Sequence, residues 1–232
     1  MNRFRFEPPL SSTQVVIMTQ SASYLLLTRS RAASGLAERL ADRLASQDRP
    51  GPRAHATFLA HDRETTLELT AFEDIRELGC VLARRTELER GVSNWLAGDW
   101  RHEVLRHVED VVPGTNALTL ARQLELRFIE VPPALYAEYR EWREGTIYEA
   151  VRRRPEITDF RSYHSAVSMR PGVTFVVGFD CDVKDYQTVY ENDRYRSILR
   201  EVGDRFIAGG LGNLVTEIFE RRPNRLSLGA AA

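Results

Sequence analysis

Long uncharged apolar runs, paired cysteines and lysine are what this sequence has least of. No stretch of the 232 residues is long and apolar enough to cross a bilayer, and the N-terminal residues contain no apolar run of signal-peptide length. The cysteines, Cys80 and Cys181, lie far apart and outside any C-x-x-C spacing, which is typical of a protein kept in a reducing compartment. We therefore expect a cytoplasmic protein that has no membrane partner.

The sequence also lacks an excess of either positive or negative charge. The chain has 32 Lys and Arg against 33 Asp and Glu, so nothing in its overall charge favours nucleic acid as a partner. Lys184 is the single lysine, which indicates the nucleotide composition of the gene more than a chemical role. With 43% hydrophobic and 28% charged residues, the composition is that of a globular protein large enough for one large domain or two small ones.

The histidines do not form a metal-binding pattern. None of the five is four positions from another with a glutamate between them, and His102 and His107 are five apart, which suits one face of neither a helix nor a strand. We expect no metal site.

The element order, read from residue periodicity, occurs twice along the chain. Each half has a strand, a helix, a hairpin of two strands, a second helix and a closing strand, and the helix-capping residues Asp74 and Asp182 are 108 positions apart. The order β-α-β-β-α-β is that of a ferredoxin-like unit, whose sheet leaves one apolar face uncovered. We predict an α+β protein in which two such units pack sheet to sheet as a barrel. The predicted boundaries are an N-terminal arm at 1–20, unit 1 at 21–112, unit 2 at 117–222 and a mobile tail at 223–232.

The predicted hairpin of unit 2 carries the histidine that is the first candidate for catalysis. Alternation places His164 on the same strand face as Phe160, and a Pro-Gly turn at 171–172 joins the two strands. Imidazole titrates near neutral pH, so His164 is a candidate general acid or base. The alternative is a structural histidine bonded to a backbone carbonyl or a carboxylate.

Two predicted helices of unit 2 are rich in aromatic residues. Tyr139 and Trp142 are three apart on the first helix, and Tyr186 and Tyr190 are four apart on the second, predicted over 183–202 with an irregularity at Asn192-Asp193. Together they predict an aromatic pocket between helices and sheet, suited to a flat phenolic ligand. The alternative is that these rings belong to the core.

An arginine is predicted on the first strand of unit 2. Arg127 shares its strand face with Glu125 and Ile129, where a guanidinium group could anchor a carboxylate or an enolate oxygen. A salt bridge is the equally good alternative.

Residues 20–222 resemble the dimeric α+β barrel superfamily, and within it the antibiotic-biosynthesis monooxygenase type. The resemblance rests on the element order and on the repeat offset marked by Asp74 and Asp182. It implies a barrel of two ferredoxin-like sheets and, among the activities of such proteins, cofactor-independent oxygenation of phenols, polyketide cyclisation or haem binding.

The resemblance and the candidate residues combine into one hypothesis, an enzyme that tailors aromatic polyketides as a cofactor-independent monooxygenase. His164 and Arg127 would be catalytic, unit 1 would be mainly structural, and a small aromatic substrate would be the partner of a chain that is compatible with a homodimer. The alternatives are a polyketide cyclase with the same pocket, a non-catalytic binding protein, or a haem protein in which His164 binds the iron. The substrate-binding residues would be Tyr139, Trp142, Phe160, Tyr186 and Tyr190.

Overall fold

A computed structural model describes residues 21–47 and 54–223. The predicted arm at 1–20 and residues 224–232 of the predicted tail lie outside the described residues. The first unit contains β1 (Tyr24–Arg31), α1 (Ala37–Ala45), β2 (Ala54–Ala60), β3 (Thr65–Phe72), α2 (Leu78–Val92) and β4 (Arg101–Val112). The second contains β5 (Gln123–Ile129), α3 (Tyr136–Arg143), a π-helical turn (Glu144–Tyr148) continuing into α4 (Glu149–Val151), β6 (Asp159–Val167), β7 (Val173–Phe179), α5 (Val183–Thr188), α6 (Asp193–Arg205) and β8 (Val215–Arg222).

The strands close into one antiparallel barrel in the order β1-β3-β2-β8-β5-β7-β6-β4. Each unit supplies four consecutive strands in the ferredoxin-like order, and the units meet at two seams, β2 with β8 and β4 with β6. Closing the barrel leaves no sheet edge unpaired, because each unit covers both edges of the other. The predicted α+β class and barrel arrangement are confirmed.

Alternation along each strand separates the barrel interior from the outer layers. On β1, Leu25 and Leu27 point inward while Leu26 packs outward against Phe72 and Val104. The interior is filled mainly by aliphatic side chains and the rings of three aromatic residues, Phe58, Tyr163 and Phe219.

The segment that joins the units closes one end of the barrel. Ala117 and Leu118 are buried against the interior residues, and the carbonyl of Ala117 accepts a hydrogen bond from the backbone N–H of Ala22 (3.0 Å). The boundary predicted between the units therefore has a packing role as well.

Two helix starts in the outer layer were predicted from their capping residues. Asp74 and Glu77 form the predicted capping box ahead of α2. Asp182 precedes α5, but its side chain makes no cap hydrogen bond, so that detail of the prediction is wrong. The predicted helix over 183–202 is two helices, because Asn192 caps a new one by accepting a hydrogen bond from the backbone N–H of Tyr195 (2.8 Å).

Among residues 21–47 and 54–223, no helix is long and apolar enough to cross a membrane.

Candidate functional site

The sheet face of unit 2 that lies under its helices carries a buried pair of opposite charges. Glu125 and Arg127 are two residues apart on β5, and therefore on one face, and Oε1 of Glu125 lies 2.8 Å from Nη2 of Arg127 in a contact that lacks hydrogen-bond geometry. Burial raises the pKa of the Glu125 carboxyl, and the positive charge of Arg127 opposes that rise. A buried ion pair costs more desolvation than apolar residues would, and a shifted pKa beside a cavity makes the pair a candidate for a functional site.

Three tyrosines from α5, α6 and the segment between them surround this pair. The Arg127 guanidinium lies 4.5 Å from the ring centre of Tyr190 and donates a hydrogen bond to the hydroxyl of Tyr195. The hydroxyls of Tyr186 and Tyr190 are 2.8 Å apart. The structure thus brings together Arg127, Tyr186 and Tyr190 of the predicted site. It adds Glu125 and Tyr195, which strand alternation and helical spacing could have suggested.

The tyrosine hydroxyls remain hydrogen-bond donors at neutral pH. Burial raises the pKa of Tyr195, and the charge of Arg127 only partly offsets this. Burial raises the pKa values of Tyr186 and Tyr190 in the same way. A protonated Tyr195 that accepts from Arg127 can still donate its own proton to an oxygen atom of a ligand.

Tyr195 lines two spaces, a small cavity with mainly apolar walls and a larger pocket with mainly charged and polar walls. On the inner side is a cavity of about 20 Å³, near the minimum of roughly 10–15 Å³ that holds one water molecule. On the outer side is a pocket of about 310 Å³. Apart from Tyr195 and Arg127, the inner cavity is lined by Ile129, Ile147, Phe160, Phe175, Leu199, Val202 and Leu214. Apart from Tyr195, the outer pocket is lined by Glu149, Ala150, Arg153, Arg154, Asn192 and Arg194.

The π-helical turn contributes to both spaces. Ile147, within the turn, borders the inner cavity, while Glu149 and Ala150, just after it, border the outer pocket. Such turns insert one extra residue into a helix and occur often at functional sites. Here the turn sets which residues of this helix face each side of Tyr195.

The other predicted aromatic residues differ in their access to these spaces. Phe160 borders the inner cavity. Tyr139 is fully buried, and both it and Trp142 pack on the ring of Phe206, at centroid distances of 5.6 and 5.2 Å. The Tyr139 hydroxyl and the Trp142 Nε1 are buried with no hydrogen-bond partner within the described part of the chain. They lie in the core beside the candidate site, and their predicted substrate-binding role stays a prediction.

A buried arginine that sequence reasoning missed links this layer to unit 1. Arg143, at the end of α3, has no exposed surface and pairs with Glu109 on β4. The Tyr148 hydroxyl donates to the same carboxylate (3.1 Å), and the Arg143 guanidinium lies 5.0 Å from the ring centre of Tyr148. An arginine in a charged helical segment normally points to solvent, so no signal in the sequence identified it.

His164 lies apart from the Arg127 cluster. Its Nδ1 is 3.1 Å from the carbonyl oxygen of Ser165 and must be the donor there, and its ring meets the edge of Tyr136 at 5.1 Å. Strand register places His164 opposite Val173, which is opposite Ile129, so two strand spacings, about 10 Å, separate it from β5. Its predicted acid-base role stays a prediction.

Unit 1 has a buried polar cluster in the equivalent layer. Nη2 of Arg85 lies 2.5 Å from Oε2 of Glu68, and Nε2 of His55 lies 3.6 Å from Oε1 of the same carboxylate. The prediction that unit 1 is mainly structural stays a prediction.

Comparison with known proteins identifies the architecture. No family model and no curated protein sequence matches the chain. An anthrone oxidase-like protein superposes with a TM-score of 0.64 at 9% identity, covering 90% of this chain and 96% of its own. A candidate monooxygenase from Fusobacterium nucleatum gives 0.61 at 9% identity, over 88% and 94%. A mutant chlorite dismutase from Candidatus Nitrospira defluvii, in complex with cyanide, gives 0.55 at 10% identity, over 88% and 92%. The chain has the same α+β barrel fold as these proteins. Identities this low establish the fold and leave the activity to the site itself.

Within this α+β barrel, the layer around Arg127 does not suit a haem group. A porphyrin is many times larger than the inner cavity of about 20 Å³, and the surrounding side chains are packed against one another. Among residues 21–47 and 54–223, no group of three or more His, Cys, Asp or Glu side chains is arranged to hold a metal ion.

Proposed function

We propose that unit 2 is an oxidative enzyme, a monooxygenase that uses dioxygen and no cofactor to oxidise a phenolic or polycyclic substrate of the aromatic polyketide class. One observation carries the proposal. Tyr195, which accepts a hydrogen bond from Arg127, stands between an arginine-lined outer pocket and a small apolar inner cavity.

The outer pocket suits the substrate. Three arginines line it, and only Arg194 has a carboxylate partner within the described chain, Glu149 at 2.7 Å. Arg153 and Arg154 therefore favour the ionised form of a phenol. A volume of about 310 Å³ is at the small end of the range for ligand pockets, so one or two rings of a larger substrate would enter.

The inner wall suits the reaction. A phenolate oxygen that reached Tyr195 would accept a hydrogen bond from its hydroxyl group. The positive charge of Arg127, which donates to the same hydroxyl, would stabilise the phenolate. Dioxygen is small and apolar, which matches the inner cavity, and a shift of the Tyr195 ring would join the two spaces.

The reaction balances without an external reductant. Ionisation of the phenol releases a proton to solvent and makes the ring system electron-rich. Oxidation of a ring methylene to a carbonyl gives up four electrons, which is what reduction of one dioxygen requires. One oxygen atom enters the product carbonyl, and the other leaves as water with the two methylene hydrogens.

The similarity in fold to an anthrone oxidase-like protein and a candidate monooxygenase supports this proposal by analogy. The position of Arg127 beside the small apolar cavity, in contact with the Tyr195 hydroxyl, supports it independently of the fold.

The test is oxygen uptake by the purified protein with a hydroxylated anthrone and no added cofactor. We expect one dioxygen consumed per quinone formed. Tyr195→Phe removes one donor hydroxyl and should lower kcat/KM about 10²-fold. Tyr24→Phe is the matched control, since Tyr24 lies on β1 and stacks on Phe72 in unit 1.

Full activity in Tyr195→Phe would exclude this site. Binding of the anthrone without oxygen uptake would favour the alternatives, and mass spectrometry on a poly-β-ketone substrate would then separate a cyclase from a non-catalytic binding protein.

A further inference from the structure

A larger cavity than those beside Tyr195 lies inside the barrel, at the end opposite to the closing segment 113–122. Its volume is about 470 Å³, within the range of small-molecule sites. Strands of both units form it, and none of its lining residues borders either space beside Tyr195. It is lined by Leu27, Arg29, Trp100, Arg101, His102, Glu103, Leu126, Phe128, Met169, Arg170, Thr174, Val215 and Glu217, which we call the barrel mouth.

The floor of the barrel mouth is apolar and continuous with the core. Leu27 and Leu126 are both buried members of the interior cluster, and they close the cavity from below. Because Ala117 and Leu118 fill the far end of the barrel, the cavity opens in one direction only. An apolar group can therefore enter from one side and leave water behind.

The charges at the rim leave two arginines without a carboxylate partner. Arg29 pairs with Glu217, and Glu103 accepts a hydrogen bond from the Ser168 hydroxyl at 3.2 Å. Burial lowers the pKa of His102, so its ring is neutral at pH 7. Across residues 21–47 and 54–223, three charged side chains of the mouth form no ion pair, Arg101, Arg170 and Glu103, so the mouth has one more positive than negative side chain.

These two arginines line the same cavity from different segments of the chain. Arg101 begins β4, and Arg170 lies in the turn between β6 and β7, beyond the last pair of the β4·β6 register, Val104 with Val167. Like charges that share a small cavity repel each other, and an anion bound between them offsets the repulsion. The Arg170 guanidinium also lies 4.7 Å from the ring centre of Phe128, so it stands over the apolar wall.

We propose that the barrel mouth is a binding site for an amphipathic carboxylate. The carboxylate group lies between Arg101 and Arg170, and the hydrocarbon chain or ring lies against Leu27, Leu126 and Phe128. Met169, 98% exposed at the hairpin tip, supplies an apolar side chain at the opening, where it can fold over the ligand. This site is independent of the one proposed around Tyr195.

The test compares an anion with its neutral counterpart. Octanoate and 1-octanol are titrated into the full-length protein by calorimetry at pH 7.5. Arg101→Gln/Arg170→Gln should weaken octanoate binding about tenfold or more and leave octanol binding within about twofold. Arg140→Gln/Arg200→Gln, which removes two exposed arginines from α3 and α6, is the matched control and should change neither ligand.

A second variant locates the apolar part of the ligand. Val215→Trp fills the mouth and should abolish binding of both ligands, once circular dichroism and a cooperative thermal transition show that the variant is folded. Unchanged octanoate affinity in the double arginine variant, or in a folded Val215→Trp protein, would overturn the proposal. Oxygen uptake with an anthrone is measured separately, so failure here and failure of the oxidative function are distinguishable.

Discussion

Glu125 illustrates how one residue connects the fold to pH. Burial raises its pKa above the ordinary value of 4.5, so the folded protein binds a proton at Glu125 that the unfolded chain has already released. Stability falls with pH wherever the folded state holds more protons. We therefore expect Glu125 to lower the free energy of unfolding progressively as pH rises from about 4.5 through its folded-state pKa.

The measurement is urea unfolding of the wild-type protein and Glu125→Gln at several pH values between 5 and 8. Burial also raises the pKa of Asp159, so Asp159 makes the free energy of unfolding fall with pH in both proteins. The difference in unfolding free energy between the two proteins therefore reports the contribution of Glu125 alone. We expect the wild type to lose stability relative to the variant as pH rises. Parallel curves would show that Glu125 has the same pKa folded and unfolded.

At the scale of single elements, the π-helical turn contains a testable glycine. Gly145 lies inside the helical segment, its φ is negative, and a Cβ added there would meet no atom within 4 Å. Glycine in a helix costs roughly 0.5–1 kcal/mol relative to alanine, so Gly145→Ala should raise the free energy of unfolding by about that amount.

Gly178→Ala is the control for that prediction. A Cβ at Gly178 would lie 2.6 Å from Oδ2 of the buried Asp159 and would clash with Thr119, so alanine there should destabilise the protein. Thermal unfolding should show a higher midpoint temperature for Gly145→Ala and a lower one for Gly178→Ala than for the wild-type protein. A loss of stability in Gly145→Ala would mean that the turn depends on a backbone geometry that alanine disfavours.

The order of strands and helices in each unit was predicted, because strand alternation, helical spacing and turn residues are all local signals. Alternation also placed Arg127 and Glu125 on one face correctly. Local patterns were sufficient for the element order, the repeat and the barrel.

Local patterns could not show how tightly the side chains pack between the helices and the sheet of unit 2. The spacing of Tyr139 and Trp142 predicted a shared face, but whether a pocket remains there depends on Phe206, more than sixty positions away. The buried position of Arg143 likewise depends on Glu109 of the other unit. Periodicity identifies the face of an element, whereas the volume left over is a property of the assembled layers.

At the scale of the whole molecule, the two seams are equivalent. β2 of unit 1 corresponds to β6 of unit 2, and β4 corresponds to β8, so the β2·β8 and β4·β6 pairings are related by the repeat. Each unit alone would expose two strand edges and the apolar inner face of its sheet. For unit 2 that face includes Leu124, Leu126, Val176 and Phe219.

This arrangement predicts the behaviour of an isolated unit 2. A fragment of residues 116–232 would expose the edges of β6 and β8, and exposed edges above an apolar face lead to pairing with another chain. We expect light scattering coupled to size-exclusion chromatography to detect no soluble monomer, only a dimer in which β6 of one copy pairs with β8 of the other, or insoluble material. The full chain, measured in parallel, is the reference for a barrel whose edges are already paired. A monodisperse, folded and active monomer of the fragment would contradict both this prediction and the structural role assigned to unit 1, because the second unit would then need no partner sheet.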